Sequence, residues 1–147
     1  FYKELVKHFK PRRLDADNIV NKHLEVFKEI IKELNTEVLS VIEELKKNYS
    51  VVCLANAEVD VVPLVRKRGV YDYFDKAYIS TELGMRKPDP EIYKLILKEF
   101  SCKPDEAVFI EDLKENVDSA REIGINSIQY KDFRYFKKEI NKLGLLV

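Results

Sequence analysis

From Val108 to Gly124 the chain reads VFIEDLKENVDSAREIG, and this segment indicates the class of fold. It begins within an apolar run, 107–110, that has the length and composition of a buried parallel strand. Two carboxylates, Glu111 and Asp112, follow directly. After a polar turn, apolar residues recur at helical spacing until Gly124 ends the helix. A buried strand followed by an amphipathic helix is the repeating unit of an α/β protein.

The two acids follow the carboxyl end of the predicted strand. Open α/β sheets bind ligands at the carboxyl ends of their strands, which is where Glu111 and Asp112 fall. Two adjacent negative charges there are costly unless a cation or a basic partner offsets them. We interpret Asp112 as a ligand for Mg²⁺, because that ion prefers carboxylate oxygens. The alternative is that the two acids only begin a solvated turn.

The rest of the chain extends the same pattern. Predicted strands cover 50–54, 76–79, 107–110 and 127–130, and a predicted helix follows each of them. This alternation predicts an α/β fold, a Rossmann-like parallel sheet with helices on both faces. Residues 1–48 show only helical patterns, at about 1–9, 15–31 and 37–48. A helical appendage is therefore expected before the sheet begins.

Composition limits the classes of function. The 147 residues, 46% of them hydrophobic, predict one globular domain. Since 26 basic residues balance 26 acidic ones, no electrostatic argument favours a nucleic-acid or membrane partner. No apolar run is long enough to span a bilayer and no signal peptide is visible. The two cysteines indicate ordinary thiols, so we expect a cytoplasmic protein, and its oligomeric state is not indicated.

Three polar residues are predicted to meet at one edge of the sheet. Asn56 follows the first predicted strand, Lys87 lies in the loop after the second, and Asp112 follows the third. Taken singly, a lysine is usually solvated and an asparagine often caps a helix. Together they would provide an amide, a cation and a carboxylate-bound metal. That combination suits a phosphoryl group.

These motifs resemble those of the haloacid dehalogenase-like hydrolases, over residues 35–130. CLAN at 53–56 stands at the second family motif, GMRKPDPEIY at 84–93 matches the third, and FIED at 109–112 with Asn116 matches the fourth. The similarity is greatest to the subgroup with a helical cap, which includes the phosphatase domain of soluble epoxide hydrolases. The resemblance implies that residues 1–34 are the remnant of a helical cap. Residues 35–147 would be an α/β core that lacks its first strand.

The resemblance implies a Mg²⁺-dependent phosphatase that acts on a small phosphorylated molecule. Such a phosphoric monoester hydrolase works through an aspartyl-phosphate, with a second Asp two residues later protonating the leaving group. Lys87 would be catalytic by neutralising charge on the nucleophile and the phosphoryl oxygens. Asp112 would hold Mg²⁺, with Glu111 beside it or behind it. Asn56 would bind the phosphoryl group, and Asn116 would orient the acidic loop.

The second motif departs from the family pattern. Ser or Thr usually precedes the asparagine, but here Ala55 does. One hydroxyl donor to the phosphoryl group is therefore missing. By analogy with other lost donors to a developing charge, this could cost about 2–4 kcal/mol of transition-state stabilisation.

The first motif, Asp-x-Asp after an apolar strand, is the larger departure. The chain contains one such pair, Asp15-Ala16-Asp17, but KPRRL precedes it and cannot be a buried strand. We favour Asp15 as a helix N-cap over Asp15 as a nucleophile. The nucleophile is then expected upstream of Phe1, and the chain as given is expected to be incomplete and inactive. In the family the first strand lies between those at 50 and 107, so its absence predicts a gap with unpaired backbone groups.

Two other functions stay open. A metal-free 2-haloacid dehalogenase also uses an Asp nucleophile, but it has no use for the extra negative charge of Glu111 and Asp112. A non-catalytic relative kept for binding would account for Ala55 and for the missing Asp-x-Asp.

Overall fold

A computed structural model of the protein describes residues 16–30 and 32–146. The helices are α1 (Ala16–Ile30), α2 (Thr36–Leu45), α3 (Val62–Lys67), α4 (Ser80–Leu83), α5 (Pro90–Glu99), α6 (Lys114–Glu122) and α7 (Phe133–Lys142), and the strands are β1 (Val52–Ala55), β2 (Lys76–Ile79), β3 (Val108–Glu111) and β4 (Asn126–Gln129). Short 3₁₀ turns cover Val70–Tyr73 and Pro104–Glu106. The helix predicted at 1–9 and the N-cap predicted at Asp15 lie outside the described residues.

The strands form two parallel pairs. β1 pairs with β2, where Cys53 lies opposite Ala77, and β3 pairs with β4, where Phe109 lies opposite Ser127. This confirms the prediction of parallel strands. Within the described residues no ladder joins the two pairs. We call this break between β1 and β3 the gap, and the expected absence of a first strand there stays a prediction.

Helices cover both faces of the strands, as predicted. Successive residues of a strand point to opposite faces. Val108 packs against a cluster formed by Val41, Leu45, Ile128, Phe136 and Ile140, which come from α2, β4 and α7. Its neighbour Phe109 packs against a second cluster formed by Ile92, Tyr93, Ala120 and Ile125, from α5, α6 and the turn after α6. Leu54 of β1 joins the second cluster, so both strand pairs rest on the same helices.

Local signals in the sequence fix the ends of several helices. The Asp89 side chain caps α5 by accepting a hydrogen bond from Glu91 N at 3.0 Å, with Pro90 in the first turn, as predicted. Gly124 follows α6 with a φ of 92°, a conformation that other residues rarely adopt. The loop predicted after β2 was wrong in its first part, because 80–83 form the one-turn helix α4 directly after the strand.

Helix α1 and the residue Lys32 after it contact the segments that follow β1 and α3. The Arg68 guanidinium donates to Lys32 O at 2.7 Å, just after this helix. His23 Nε2 lies 3.4 Å from Glu58 Oε2 in the loop after β1. No helix within 16–30 or 32–146 has the length and apolar character needed to cross a membrane.

Asp75 ties the start of β1 to the start of β2, and its charge should contribute to stability. Its Oδ2 accepts from Val51 N at 2.8 Å, and its Oδ1 lies 3.2 Å from Lys46 Nζ. The Val51 hydrogen bond is the main cause that holds the pKa of Asp75 below its usual value; Lys46 contributes further and burial opposes the shift. A carboxyl with a lowered pKa stabilises the folded state above its unfolded pKa and loses that effect as the pH falls through its folded pKa.

We therefore expect Asp75→Asn to lower the urea midpoint at pH 7. The difference from the parent protein should begin to shrink below about pH 4, where the unfolded chain takes up a proton, and it should vanish only below the lowered pKa of the folded state. Unfolding followed by circular dichroism across this pH range measures both. Asp60→Asn, at an exposed loop position, is the control and should leave the midpoint almost unchanged. A difference that stays constant with pH would contradict the electrostatic account.

Candidate active site

Asn56 and Lys87 hold the loops after β1 and β2 together. Asn56 Nδ2 donates to Lys87 O at 2.8 Å, and Asn56 Oδ1 accepts from Lys87 N at 2.9 Å. The amide side chain thus pairs with the Lys87 backbone as a neighbouring strand would. A side-chain amide carries two N–H groups, so one of them remains for a ligand. The structure gives Asn56 a role in orienting the Lys87 loop that the sequence did not predict.

The Lys87 ammonium group bridges the two strand pairs. Its Nζ donates to Leu54 O of β1 at 2.8 Å and forms an ion pair with Glu111 Oε2 at the end of β3. The Lys87 side chain is 10% exposed and that of Glu111 is 8% exposed. The Phe109 ring centroid lies 5.6 Å from Nζ, within cation–π range. A buried cation is therefore held at the carboxyl edge, where the gap between β1 and β3 ends.

Glu111 is fully engaged by its neighbours. Its Oε1 accepts from the N–H groups of Asp112 at 3.1 Å and Leu113 at 3.3 Å, while Oε2 pairs with Lys87. Burial by itself raises the pKa of Glu111, but the hydrogen bonds from Asp112 and Lys87 outweigh it and leave the pKa below its usual value. Glu111 therefore stays ionised, neutralises Lys87 and shapes the acidic turn.

Asp112 is the exposed member of the acidic pair. Its backbone O accepts from Gln129 Nε2 at 2.9 Å, which fixes the turn against β4. The hydrogen bond to Glu111, with burial and the charge of Glu111 adding to it, raises the pKa of Asp112 above its usual value. Two close carboxyls thus favour sharing a proton. A bound cation would favour ionisation of both.

Asn116 lies in the first turn of α6, behind the acidic turn. It is 2% exposed, and its backbone O accepts from the Tyr93 hydroxyl at 3.0 Å. Within the described part of the chain its Oδ1 accepts no hydrogen bond. A buried acceptor without a partner is costly, so this oxygen would gain from a cation or from a water that a cation orders.

The oxygens at this turn fit Mg²⁺ in kind but provide few direct ligands. The Asp112 carboxylate is exposed, and Asn116 Oδ1 needs a partner. However, no three His, Cys, Asp or Glu side chains converge at any point within 16–30 and 32–146. Mg²⁺ usually takes one or two protein carboxylates and keeps several waters. The turn therefore offers fewer direct ligands than a complete magnesium site needs.

Ser80 is a site residue that the sequence reasoning missed. Its Oγ accepts from Ala57 N at 3.1 Å and donates to Ala57 O at 3.4 Å. The hydroxyl thereby fixes the loop after β1, next to Asn56. A signal was present, because Ser80 follows strand β2 directly and the carboxyl ends of parallel strands share one edge.

Only the second acid of the Asp-x-Asp pair at 15–17 lies within the described residues. Asp17 belongs to helix α1 and so does not follow a strand. Asp15 lies outside the described residues. Among the predicted site residues, the structure brings together Asn56, Lys87, Glu111 and Asp112, with Asn116 in the turn behind them.

Comparison with known proteins matches this arrangement to one family. The model of the haloacid dehalogenase-like hydrolases matches residues 2–130. The phosphorylated carbohydrates phosphatase of Thermotoga maritima is 30% identical over 128 residues, which cover 86% of this chain and 56% of that protein. The bifunctional epoxide hydrolase 2 of Sus scrofa is 30% identical over 139 residues, which cover 90% of this chain and 24% of that protein.

A solved structure shows the same fold. The HAD family enzyme of Bacteroides thetaiotaomicron, in complex with magnesium and inorganic phosphate, superimposes with a TM-score of 0.68 at 27% identity. The match covers 86% of this chain and 65% of that one. The chain thus spans about half the length of the Thermotoga phosphatase and a smaller part of the epoxide hydrolase.

Proposed function

The chain belongs to the haloacid dehalogenase-like hydrolases, and from this premise we propose that it is the charge-stabilising part of a Mg²⁺-dependent phosphatase. The substrate is a small phosphorylated molecule. The observation that carries this proposal is the position of Lys87, whose buried ammonium group lies between β1 and Glu111 at the carboxyl edge. Similarity to the phosphorylated carbohydrates phosphatase of Thermotoga maritima supports a phosphoric monoester as the substrate class.

We propose that the nucleophile is an Asp on a strand between β1 and β3, upstream of Phe1. Its carboxylate attacks phosphorus, a second Asp two residues later protonates the leaving alkoxide, and water then hydrolyses the aspartyl-phosphate. Lys87 stabilises the negative charge on the nucleophile and on the phosphoryl oxygens as it develops. A strand in the gap, parallel to β1 and β3, would place its carboxyl end beside Lys87.

Asp112 would hold Mg²⁺, with Glu111 behind it and with Asn116 orienting the acidic turn. When bound, Mg²⁺ supplies charge neutralisation at a phosphoryl oxygen. Asn56 places Lys87 and offers its remaining amide N–H to the phosphoryl group. We further propose that residues 1–34 form part of a helical cap and that 35–147 form the core.

Two observations concern the alternative functions, a metal-free 2-haloacid dehalogenase and a non-catalytic relative. The carboxylates of Glu111 and Asp112 at the same turn favour a metal-dependent site over a metal-free 2-haloacid dehalogenase. Ala55 provides no hydroxyl for the phosphoryl group, and this is the feature that favours a non-catalytic relative.

Metal binding by the 147-residue chain tests the acidic turn directly. We expect the chain to bind Mg²⁺ weakly, in the millimolar range. Asp112 supplies the main direct contact, and tighter binding needs more protein ligands. Mn²⁺ takes the same oxygen ligands and broadens nearby amide resonances in NMR spectra. Broadening should centre on Asp112 and Leu113, and excess Mg²⁺ should reverse it.

The variant Asp112→Asn should lose this broadening. Asp105→Asn is the matched control, because Asp105 is an exposed acid just before β3, at the opposite end of the strand. Broadening that survives Asp112→Asn, or that centres on Asp105, would contradict the proposed metal site.

A further inference from the structure

A cleft of about 340 Å³ opens between α1 and the loop that follows β1. Most of its wall is apolar, and the apolar side chains are those of Phe27, Ala55, Ala57, Val61 and Val65. Asn56 lies in the same wall and is bonded to Lys87. The cleft therefore borders the proposed phosphoryl site through Asn56. It is the space into which the alcohol part of a bound phosphate ester would extend.

The polar groups of the cleft are few. His23 and Glu58 face each other from opposite sides, with Nε2 and Oε2 3.4 Å apart, and Tyr71 completes the lining. The described residues that line the cleft include no Lys or Arg. Glu58, whose side chain is 50% exposed, is the acidic residue of this lining. A second anionic group on the substrate would meet repulsion there and no cationic partner.

We propose that this cleft selects phosphate monoesters of neutral, mainly apolar alcohols, such as aryl or short branched alkyl phosphates. This inference rests on the proposed function and specifies its substrate class. The volume lies near the lower end for ligand sites, which suits a single ring or a chain of similar size.

Polyol phosphates fit this lining poorly. A sugar or glycerol phosphate would press several hydroxyl groups against Phe27, Val61 and Val65, where few partners replace their lost water. An apolar ring would instead displace water from an apolar wall. Two substrates that differ by one methylene group in an apolar pocket are discriminated by about 10–200-fold.

The test compares the binding of three probes to the 147-residue chain. These are inorganic phosphate, phenyl phosphate and glycerol 3-phosphate, each titrated by NMR with Mg²⁺ present. Phenyl phosphate should bind at least about 10-fold more tightly than glycerol 3-phosphate. Resonances of Ala57 and Val65 should shift with phenyl phosphate and much less with inorganic phosphate.

Adjacent residues of α1 provide a matched pair of variants. Phe27→Ala should reduce the preference for phenyl phosphate about 10-fold, while Val26→Ala should leave it unchanged, because Val26 is 60% exposed. Val65→Thr gives a second variant of nearly the same shape, and it should also reduce the preference. Cooperative urea unfolding confirms that each variant folds.

Each outcome decides between the two proposals. Binding of inorganic phosphate with equal affinity for the two esters, or with a preference for glycerol 3-phosphate, overturns the cleft proposal and leaves the phosphoryl site intact. Binding of none of the three probes overturns the proposed function and the cleft proposal with it. If Phe27→Ala and Val65→Thr both leave the preference for phenyl phosphate unchanged, the selectivity does not come from the cleft and the cleft proposal is overturned.

Discussion

A longer chain that supplies an apolar strand ending in Asp-x-Asp should hydrolyse p-nitrophenyl phosphate with Mg²⁺, whereas the 147-residue chain should not. Covalent catalysis needs its nucleophile, and in a serine protease, another covalent hydrolase, losing the nucleophile lowers kcat by roughly 10⁶-fold. The remaining groups, Lys87 and Asp112, supply only positioning and charge stabilisation. Steady-state assays of the two chains, at equal concentration and with Mg²⁺, measure the difference.

The gap in the sheet gives this prediction a structural basis. β1 and β3 each pair on one side only within the described residues, and two-stranded pairs have little stability of their own. An added strand would pair with both and bring its carboxyl end to Lys87. The longer chain should therefore also unfold at a higher urea concentration than the 147-residue chain.

The control is the same longer chain with Asn in place of the first Asp of the added motif, which should fold but remain inactive. Turnover by the 147-residue chain that Asp15→Asn abolishes would instead make Asp15 the nucleophile. A longer chain that folds, binds Mg²⁺ and yet stays inert would favour the non-catalytic alternative.

Replacing Lys87 should cause the second large effect. In the longer chain, Lys87→Met should lower kcat by about 10³-fold, since a preorganised charge at the phosphoryl group is lost. It should also destabilise the protein by about 3 kcal/mol at about pH 8, because Glu111, 8% exposed, keeps a buried charge without its partner. Assays and urea unfolding measure the two effects separately.

The pH dependence of that destabilisation follows from Glu111. Without Lys87, its hydrogen bond and its charge no longer lower the pKa of Glu111 while burial still raises it, so this pKa should rise. A carboxyl with a raised pKa costs stability above that pKa, and the cost disappears as the pH falls and the group is protonated. The difference between Lys87→Met and the parent should therefore be smaller at about pH 5 than at about pH 8.

A double variant separates the structural from the catalytic role of Lys87. Lys87→Met combined with Glu111→Gln removes both charges, so it should recover much of the lost stability. It should recover none of the activity. Recovery of activity along with stability would show that Lys87 acts only by supporting the fold.

The sequence predicted the elements that depend on local signals. The bounds of β2 agree with the structure, and the Asp89 cap and Gly124 stop were predicted from residue types that act on their own helix ends. The helix at 80–83 was missed. One turn is too short to show a helical period, so no pattern separated it from a loop.

The sequence predicted which residues lie close together at the site, but it did not predict the hydrogen bonds between them. Residues at the carboxyl ends of parallel strands must share an edge, which placed Asn56, Lys87 and Asp112 together. Spacing along the chain cannot show that Asn56 binds the Lys87 backbone, or that Glu111 uses both oxygens. The cleft depends on Phe27 of α1 and Val65 of α3 lining the same space, and no local pattern encodes an arrangement of residues so far apart in the chain.

The Mg²⁺ dependence of p-nitrophenyl phosphate turnover by the longer chain, measured beside its Asp112→Asn variant, tests the central claim most directly. We expect EDTA to abolish turnover and Asp112→Asn to raise the half-saturating Mg²⁺ concentration by at least about 10-fold. Turnover that persists in EDTA and is unchanged in Asp112→Asn would contradict the assignment of a magnesium-dependent phosphoryl site to this edge of the sheet.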